Sequence, residues 1–255
     1  MVSDYLKHTR SIEELDELFS RNKELAALAA GEFFKHEISI AISNIEEIQK
    51  VAQARVLADS QVASATVMSA AEVKAAQILL DVQKASLNAV LHADSPPHER
   101  DGTSSLETIK AETARALTQT ASASIAEIER TAQNAVAELK RSSQDAIQKI
   151  LTLSNEIEEQ VEKNAAIARE KLNLQEQNLR SPEETKDQAD NAAAQVLEYA
   201  RFASQQLEQV TQKSIEEITL ITERAVETIN TATEEAKRRL EDMLAKALAL
   251  MDDPA

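Results

Sequence analysis

The side chains that could do chemistry are few, and the best placed of them lie in one short segment. His92 and His98 occur close to Asp94 and Glu99, and imidazole and carboxylate groups of this kind bind metal ions. Their segment also contains two prolines and a glycine, and it lacks the spacing by which a helix presents two ligands on one face. We therefore interpret it as a solvated loop and predict no metal site.

Catalytic motifs are absent from the rest of the sequence. It contains no glycine-rich phosphate loop, no histidine and glutamate at metalloprotease spacing, and no nucleophile elbow. Glutamate pairs such as Glu158-Glu159 and Glu216-Glu217 recur, but a carboxylate on an exposed helix face lacks the burial that acid–base catalysis uses. The sequence predicts neither an enzyme nor a cofactor-binding protein.

The strongest signal in the chain is a large apolar residue at every eleventh position. Eleven residues make three turns of a helix at about 3.67 residues per turn, so these residues stay on one face of a long helix. Nearer the N terminus the same spacing occurs less regularly, at Ile45, Val56, Val67 and Ile78. We predict that the helix-packing stripe consists of Leu106, Leu117, Ile128, Leu139, Ile150, Val161, Leu172, Val196, Leu207, Ile218, Ile229, Leu240 and Met251.

Composition agrees with this periodicity. The 255 residues include only two Gly, four Pro and no Trp, which is too little turn material for a chain that folds back often. Aromatic residues make up 2% of the chain, so a thick core cannot be filled with rings. We expect a thin core, two or three helices wide, that is lined by alanine and aliphatic side chains.

Two breaks divide the chain into three long helices. Ser104 and Glu107 have the spacing of a capping box after the proline-containing loop, and Pro182 suits the first position of a new helix. The predicted organisation is one elongated domain, with an N-terminal tail at 1–11, a first helix at 12–91 that can break near residue 31, a loop at 92–104, a second helix at 105–180 and a third helix at 182–251.

The fold prediction is an all-α protein whose long hendecad-patterned helices form an elongated antiparallel three-helix bundle or coiled coil. Helices of such similar length, about 105 to 120 Å at 1.5 Å per residue, suit an up-down-up arrangement within one chain. Alternatively, Pro182 kinks one continuous helix and the pairing occurs between chains. The spacing fixes neither the number of subunits nor the direction of their pairing.

Two regions are candidates for self-assembly. Three of the four phenylalanines, Phe19, Phe33 and Phe34, lie close together and could form either an oligomerisation patch or a hydrophobic plug at one end of the bundle. Residues 60–71 contain no charge, so we expect this stretch, with Val62, Val67 and Met68, to be covered on most sides by the bundle or by another chain.

Charge and targeting signals limit the partners. The formal net charge is −16, and basic residues lie beside carboxylates instead of forming a stripe, so nucleic acid is not an expected partner. The absence of cysteine excludes disulfides and fits a reducing compartment. No uninterrupted apolar run approaches the roughly 20 residues of a transmembrane helix. We predict an acidic cytoplasmic protein without a transmembrane segment, whose partners are further copies of itself or other helical proteins.

Three classes of function fit these observations. The first is a non-enzymatic structural coiled-coil protein, a self-associating cytosolic rod or scaffold that could form filaments. The segment from Ser181 to about Lys237 resembles, in its Ala, Glu and Leu spacing, the helical region of phasins, and this resemblance implies a coat on a lipid or polyester granule. A partner-binding adaptor is the third class. The stripe is aliphatic and flanked by acidic residues, without aromatic residues at its edges, and this favours helix-on-helix packing over binding to a granule or membrane surface.

Overall fold

Three long helices make up the described part of the chain. The computed structural model describes residues 22–93, 102–176 and 184–252, and side chains within 22–85, 87, 107–172 and 188–251. Helix α1 spans Lys23–Ala93, α2 spans Gly102–Glu176 and α3 spans Glu184–Asp252. Asn22 caps α1, because its Oδ1 accepts a hydrogen bond of 3.1 Å from the backbone N–H of Leu25.

The helices pack as a three-helix bundle within one chain, which confirms the predicted fold class. The observed boundaries differ from the predicted ones by a few residues. Helix α1 continues to Ala93, and α2 already begins at Gly102, so Ser104 lies inside the helix. Helix α3 begins two residues after Pro182, and the predicted tail at 1–11 and the start of the first helix at residue 12 lie outside the described residues.

The chain divides into two compact units, and each contains a part of every helix. Unit 1 combines residues 22–53, 143–176 and 184–220 of the described chain, whereas unit 2 combines 54–93, 102–142 and 221–252. In unit 1 the N-terminal part of α1 therefore packs with the C-terminal part of α2 and the N-terminal part of α3. This is an up-down-up bundle within one chain, in which α2 runs antiparallel to α1 and α3.

The core of each unit is thin and consists largely of aliphatic residues and alanine. In unit 1 the largest fully buried side chains include Phe34, Ile38 and Ile45 of α1, which pack in one cluster with residues of α2 and α3 such as Leu172 and Leu207. In unit 2 a second cluster gathers residues such as Val67, Leu139 and Leu240. Among the described residues, no helix is both long and apolar enough to cross a membrane.

Gly31 lies inside α1 and does not break it. The helix is continuous through this residue, and a Cβ atom added at Gly31 would lie 2.5 Å from Cδ2 of Tyr199 and 2.8 Å from its Cγ. Contacts this short involve the root of the tyrosine ring, which is attached directly to Cβ and cannot swing away freely. Glycine at this position therefore makes room for Tyr199 of α3.

We predict that Gly31→Ala destabilises the protein, although alanine is favoured over glycine in a helix by about 1 kcal/mol. The added methyl group displaces the ring of Tyr199, and the cost of this displacement exceeds the gain in helix propensity. Thermal or urea unfolding followed by circular dichroism measures the change.

The control is the same substitution in a Tyr199→Ala background. There the ring is gone, and Gly31→Ala should raise the free energy of unfolding by about 1 kcal/mol. If Gly31→Ala stabilises the protein equally in both backgrounds, the close approach of Gly31 and Tyr199 does not exist in solution.

Candidate interaction surface

The predicted helix-packing stripe lies inside the bundle wherever its side chains are described. Eleven of its thirteen residues are at most 2% exposed, and Met251 is half-buried against the core of unit 2. The side chain of Leu106 lies outside the described set. These residues contribute to the two cores and are not available to a partner.

Smaller residues accompany the stripe at the same spacing. Helix α3 buries a small residue at every eleventh position, and α2 does the same with a mixture of alanine and serine. In α3 they are Ala192, Ala203, Ser214, Ala225, Ala236 and Ala247, and in α2 they are Ala121, Ala132, Ser143, Ser154 and Ala165. Small side chains at a contact allow helix axes to approach closely.

A group of polar side chains joins the helices inside unit 1. The Ser214 hydroxyl donates a hydrogen bond of 2.8 Å to Oε1 of Gln49, and the amide of Gln49 donates to the Glu217 carboxylate. Gln53 donates to the same carboxylate at 3.3 Å. One turn earlier on α3, the hydroxyl of Thr211 donates to Oγ of Ser154 of α2 at 3.1 Å. Polar pairs of this kind favour one register, because a shifted register leaves their groups unsatisfied.

The register of α1 against α3 matches the sequence repeat. Gln49 and Ser214 are separated by 165 residues in sequence, and so are Ser60 and Ala225, which are joined in unit 2 by a hydrogen bond of 3.2 Å from the serine hydroxyl to the carbonyl oxygen. This separation is a multiple of eleven. Helices α1 and α3 therefore meet at equivalent positions of the repeat in each of these two contacts.

Glu37 is a half-buried carboxylate between α1 and α2. Burial raises the pKa of Glu37 above the usual value of a glutamate, and this effect outweighs the hydrogen bond from Asn164 and the proximity of His36, which both lower the pKa. Asn164 Nδ2 donates to Oε2 of Glu37 at 3.3 Å, while Gln160 donates to Oδ1 of Asn164 at 3.2 Å. The charged form of Glu37 is therefore less favourable in the bundle than in water.

Ion pairs join the three helices in unit 2. Lys74 of α1 lies 3.2 Å from Glu127 of α2, Lys237 of α3 lies 2.8 Å from Glu129 of α2, and Arg239 of α3 lies 3.5 Å from Glu72 of α1. Hydrogen bonds to Glu129 and Glu234 raise the pKa of Lys237. Exposed pairs contribute little stability individually, but together they favour this pairing of helices over shifted ones.

An open groove lies between α2 and α3 in unit 1. It encloses about 1010 Å³ and is lined by neither histidine nor cysteine. Two hydroxyls that line it, those of Ser154 and Thr211, are hydrogen-bonded to each other. Within the described ranges, no group of three or more His, Asp or Glu side chains is placed to hold a metal ion. His98 of the predicted loop lies outside these ranges.

The candidate self-assembly residues differ in their exposure. Phe33 and Phe34 contact each other with ring centroids 6.3 Å apart and are buried in unit 1, and Val67 is buried in unit 2. Met68 is partly buried against the core of unit 2, whereas Val62 is 66% exposed. Phe19 lies outside the described residues. Of the candidates whose side chains are described, Val62 is therefore the one that a partner could contact directly.

Exposed aliphatic side chains are concentrated on α1. Of the thirteen large hydrophobic residues that are exposed in the described chain, nine belong to α1: Leu25, Leu28, Ile40, Val51, Leu57, Val62, Val73, Leu80 and Leu87. Four of these, Ile40, Val51, Val62 and Val73, also follow the eleven-residue spacing. Of these four residues, Val62 was predicted as a candidate for self-assembly. The other three were not, because residue type alone does not distinguish an exposed aliphatic side chain from a buried one.

We predict that Leu207→Ala lowers the free energy of unfolding by about 2–5 kcal/mol, because the leucine is fully buried and its removal leaves a cavity in unit 1. The matched control is Leu220→Ala on the same helix, where the leucine is 45% exposed and the expected change is within about 0.5 kcal/mol. Urea unfolding of both variants tests the comparison, and equal losses would contradict the assignment of Leu207 to the core.

We also predict that Glu37→Gln stabilises the protein more at neutral pH than in acid. A raised pKa means that the folded state binds the proton more tightly, so stability falls as pH rises from the unfolded pKa through the folded pKa. Glutamine keeps the hydrogen bond from Asn164 and removes this loss. Unfolding curves of the variant and the wild type across that pH range measure the difference.

Exposed Glu46 on the same helix provides the control for net charge. Since Glu46→Gln removes the same negative charge without relieving burial, it should give a smaller gain at neutral pH than Glu37→Gln. Equal gains from the two substitutions would show that burial of Glu37 has no effect on stability.

Comparisons with known proteins identify the fold alone. No known protein family matches the sequence, and no curated protein matches it. The chain is similar in structure to a solved protein described as a computationally designed three helix bundle, with a TM-score of 0.54 and 13% sequence identity over 94% of each chain. At this identity the similarity supports the three-helix bundle and carries no information about activity or partners.

Proposed function

We propose that this chain is a non-enzymatic structural protein of the cytoplasm, whose three-helix bundle associates with further copies of itself as a rod or scaffold. The observation that carries the proposal is the concentration of exposed aliphatic side chains on α1. Soluble monomers rarely expose contiguous apolar patches of more than a few hundred Å² unless a partner covers them.

The arrangement of polar groups supports a structural function over a catalytic one. The interhelical contacts in both units join side chains that hold one helix against another, such as Ser214 with Gln49 and Lys237 with Glu129. Glu37 is half-buried, and its hydrogen-bond partner is the amide of Asn164, which links α1 to α2. Contacts of this kind favour one register of the bundle, and this supports a structural function.

We predict that the purified protein self-associates in plain buffer, because burying the α1 side chains against another copy removes them from water. Sedimentation equilibrium from low micromolar to submillimolar concentration should show a mass above 28.0 kDa that rises with concentration. Negative-stain electron microscopy of the same samples then separates closed oligomers from filaments.

A single species of 28.0 kDa over the whole range would contradict the proposal. If such a monomer instead bound polyester granules or lipid vesicles, the function would be that of a coat protein. Circular dichroism provides a further distinction: a structural bundle is helical in buffer, whereas a coat protein of the amphipathic kind gains its helicity on the surface.

A further inference from the structure

The outward side of α1 in unit 2 has the residue pattern of a packed face. Between residues 54 and 87, apolar or small residues recur at intervals of four, four and three. We call this set the outer face of α1: Ala54, Ala58, Val62, Ala65, Ser69, Val73, Ala76, Leu80 and Leu87. Every member is exposed in the structure. Lys84 is the charged residue that interrupts it.

The buried face of the same helix has the same pattern two residues earlier. Val56, Ser60, Ala63, Val67 and Ala71 are buried at intervals of four, three, four and four, and each is followed two positions later by a member of the outer face. The outer face therefore repeats the spacing and the mixture of alanine, serine and valine that already packs against α2 and α3.

The corresponding positions of α3 in unit 2 are of a different kind. Two residues after buried Ala225, Ala236 and Leu240 lie Glu227, Arg238 and Asp242, all exposed. This is the charged pattern expected of a helix face in water. Because α3 shows it and α1 does not, solvent exposure alone does not explain the composition of the outer face.

We propose that the outer face of α1 packs against the same face of a second copy, with the two helices antiparallel. The proposal rests on the self-association proposed above and names the surface and its geometry. Val62, Val73 and Leu87 are 63–66% exposed. With Leu80 and the small residues of the outer face, they would be removed from water in such a pair.

Charge favours another copy of this same face as the occupant. Two molecules that each have a formal net charge of −16 repel each other, so they can approach most closely where neither carries acidic residues. The outer face contains no acidic residue, and residues 60–71 at its centre contain no charge at all. The residues of the outer face also recur at eleven-residue spacing. A partner helix can stay in contact with them over several repeats only if it has the same spacing, and the second copy has it.

Charge also selects the antiparallel direction. In a parallel pair in register, Lys84 would face Lys84 of the second copy, and Glu72 at the edge of the face would lie near its own equivalent. Ala54 and Lys84 are equally distant from Ser69. An antiparallel pair centred near Ser69 therefore places each Lys84 beside an alanine and separates the like charges.

The first test removes the apolar character of the face. A double variant with Val62→Glu and Val73→Glu should keep the helical circular dichroism spectrum, since both side chains are largely exposed. In sedimentation equilibrium its dissociation constant should rise by about 100-fold or more, because four carboxylates enter one dimer interface. The matched control is Leu250→Glu, at a residue that is 61% exposed in unit 2 but lies on α3, and it should associate as the wild type does.

The second test determines whether the two α1 helices pair in a parallel or an antiparallel direction. Because the chain contains no cysteine, a single introduced cysteine can form a disulfide only with its equivalent in the second copy. Under oxidation, Ser69→Cys should form a disulfide-linked dimer, because the two copies of this residue meet near the two-fold axis. Leu87→Cys should not form one, because each Leu87 lies about 27 Å along the helix from Ser69, on opposite sides of the axis.

The possible results distinguish an error in the proposed interface from an error in the proposed self-association. If the wild type associates and the double variant associates equally well, this surface is wrong while self-association remains. Disulfide-linked dimers from both cysteine variants would show parallel pairing and overturn the geometry. A wild type that stays monomeric but binds neutral phosphatidylcholine vesicles would show that lipid covers the face, and both proposals would then fail.

Discussion

The fold depends on one constraint, which is that a helix of about 70 residues must keep the same face against its neighbours along its length. With eleven residues in three turns, a side chain returns to nearly the same direction at every repeat. Aliphatic residues of α2 and α3 occupy that direction, and alanine and serine residues beside them let the helices approach. The buried polar pairs and the ion pairs then discriminate among registers that the apolar repeat alone would leave similar in energy.

Much of this arrangement could be predicted from the sequence, because the repeat is a property of each helix by itself. The three long helices and a core of aliphatic residues and alanine follow from periodicity and composition. The contacts of Gly31 with Tyr199 and of Glu37 with Asn164 could not be predicted, since they join residues far apart in the sequence. These contacts depend on the register between two helices, and the repeat within one helix does not determine that register.

The interaction surface shows a different limit of sequence reasoning. The uncharged stretch 60–71 was predicted to be covered on most sides, but Gln61, Val62, Ala65, Thr66 and Ser69 are exposed in the bundle, and the absence of charge did not separate the two sides of the helix. Val67 belongs to the inner side and Val62 to the outer side, although both are valines in one apolar stretch. Only the packing of the bundle shows which of the two valines remains exposed. It also shows that in unit 2 α1 has two faces with the same residue pattern, whereas α3 has one.

The central claim is that α1 uses its inner face for its own bundle and its outer face for a second copy. Hydroxyl-radical footprinting of the wild-type protein at low and high concentration, read by mass spectrometry, tests it directly. The claim predicts that Val62, Val73 and Leu80 are oxidised in dilute protein and protected in concentrated protein, while exposed Leu250 reacts equally in both. Unchanged oxidation of the three α1 residues, or protection confined to α2 and α3, would contradict it.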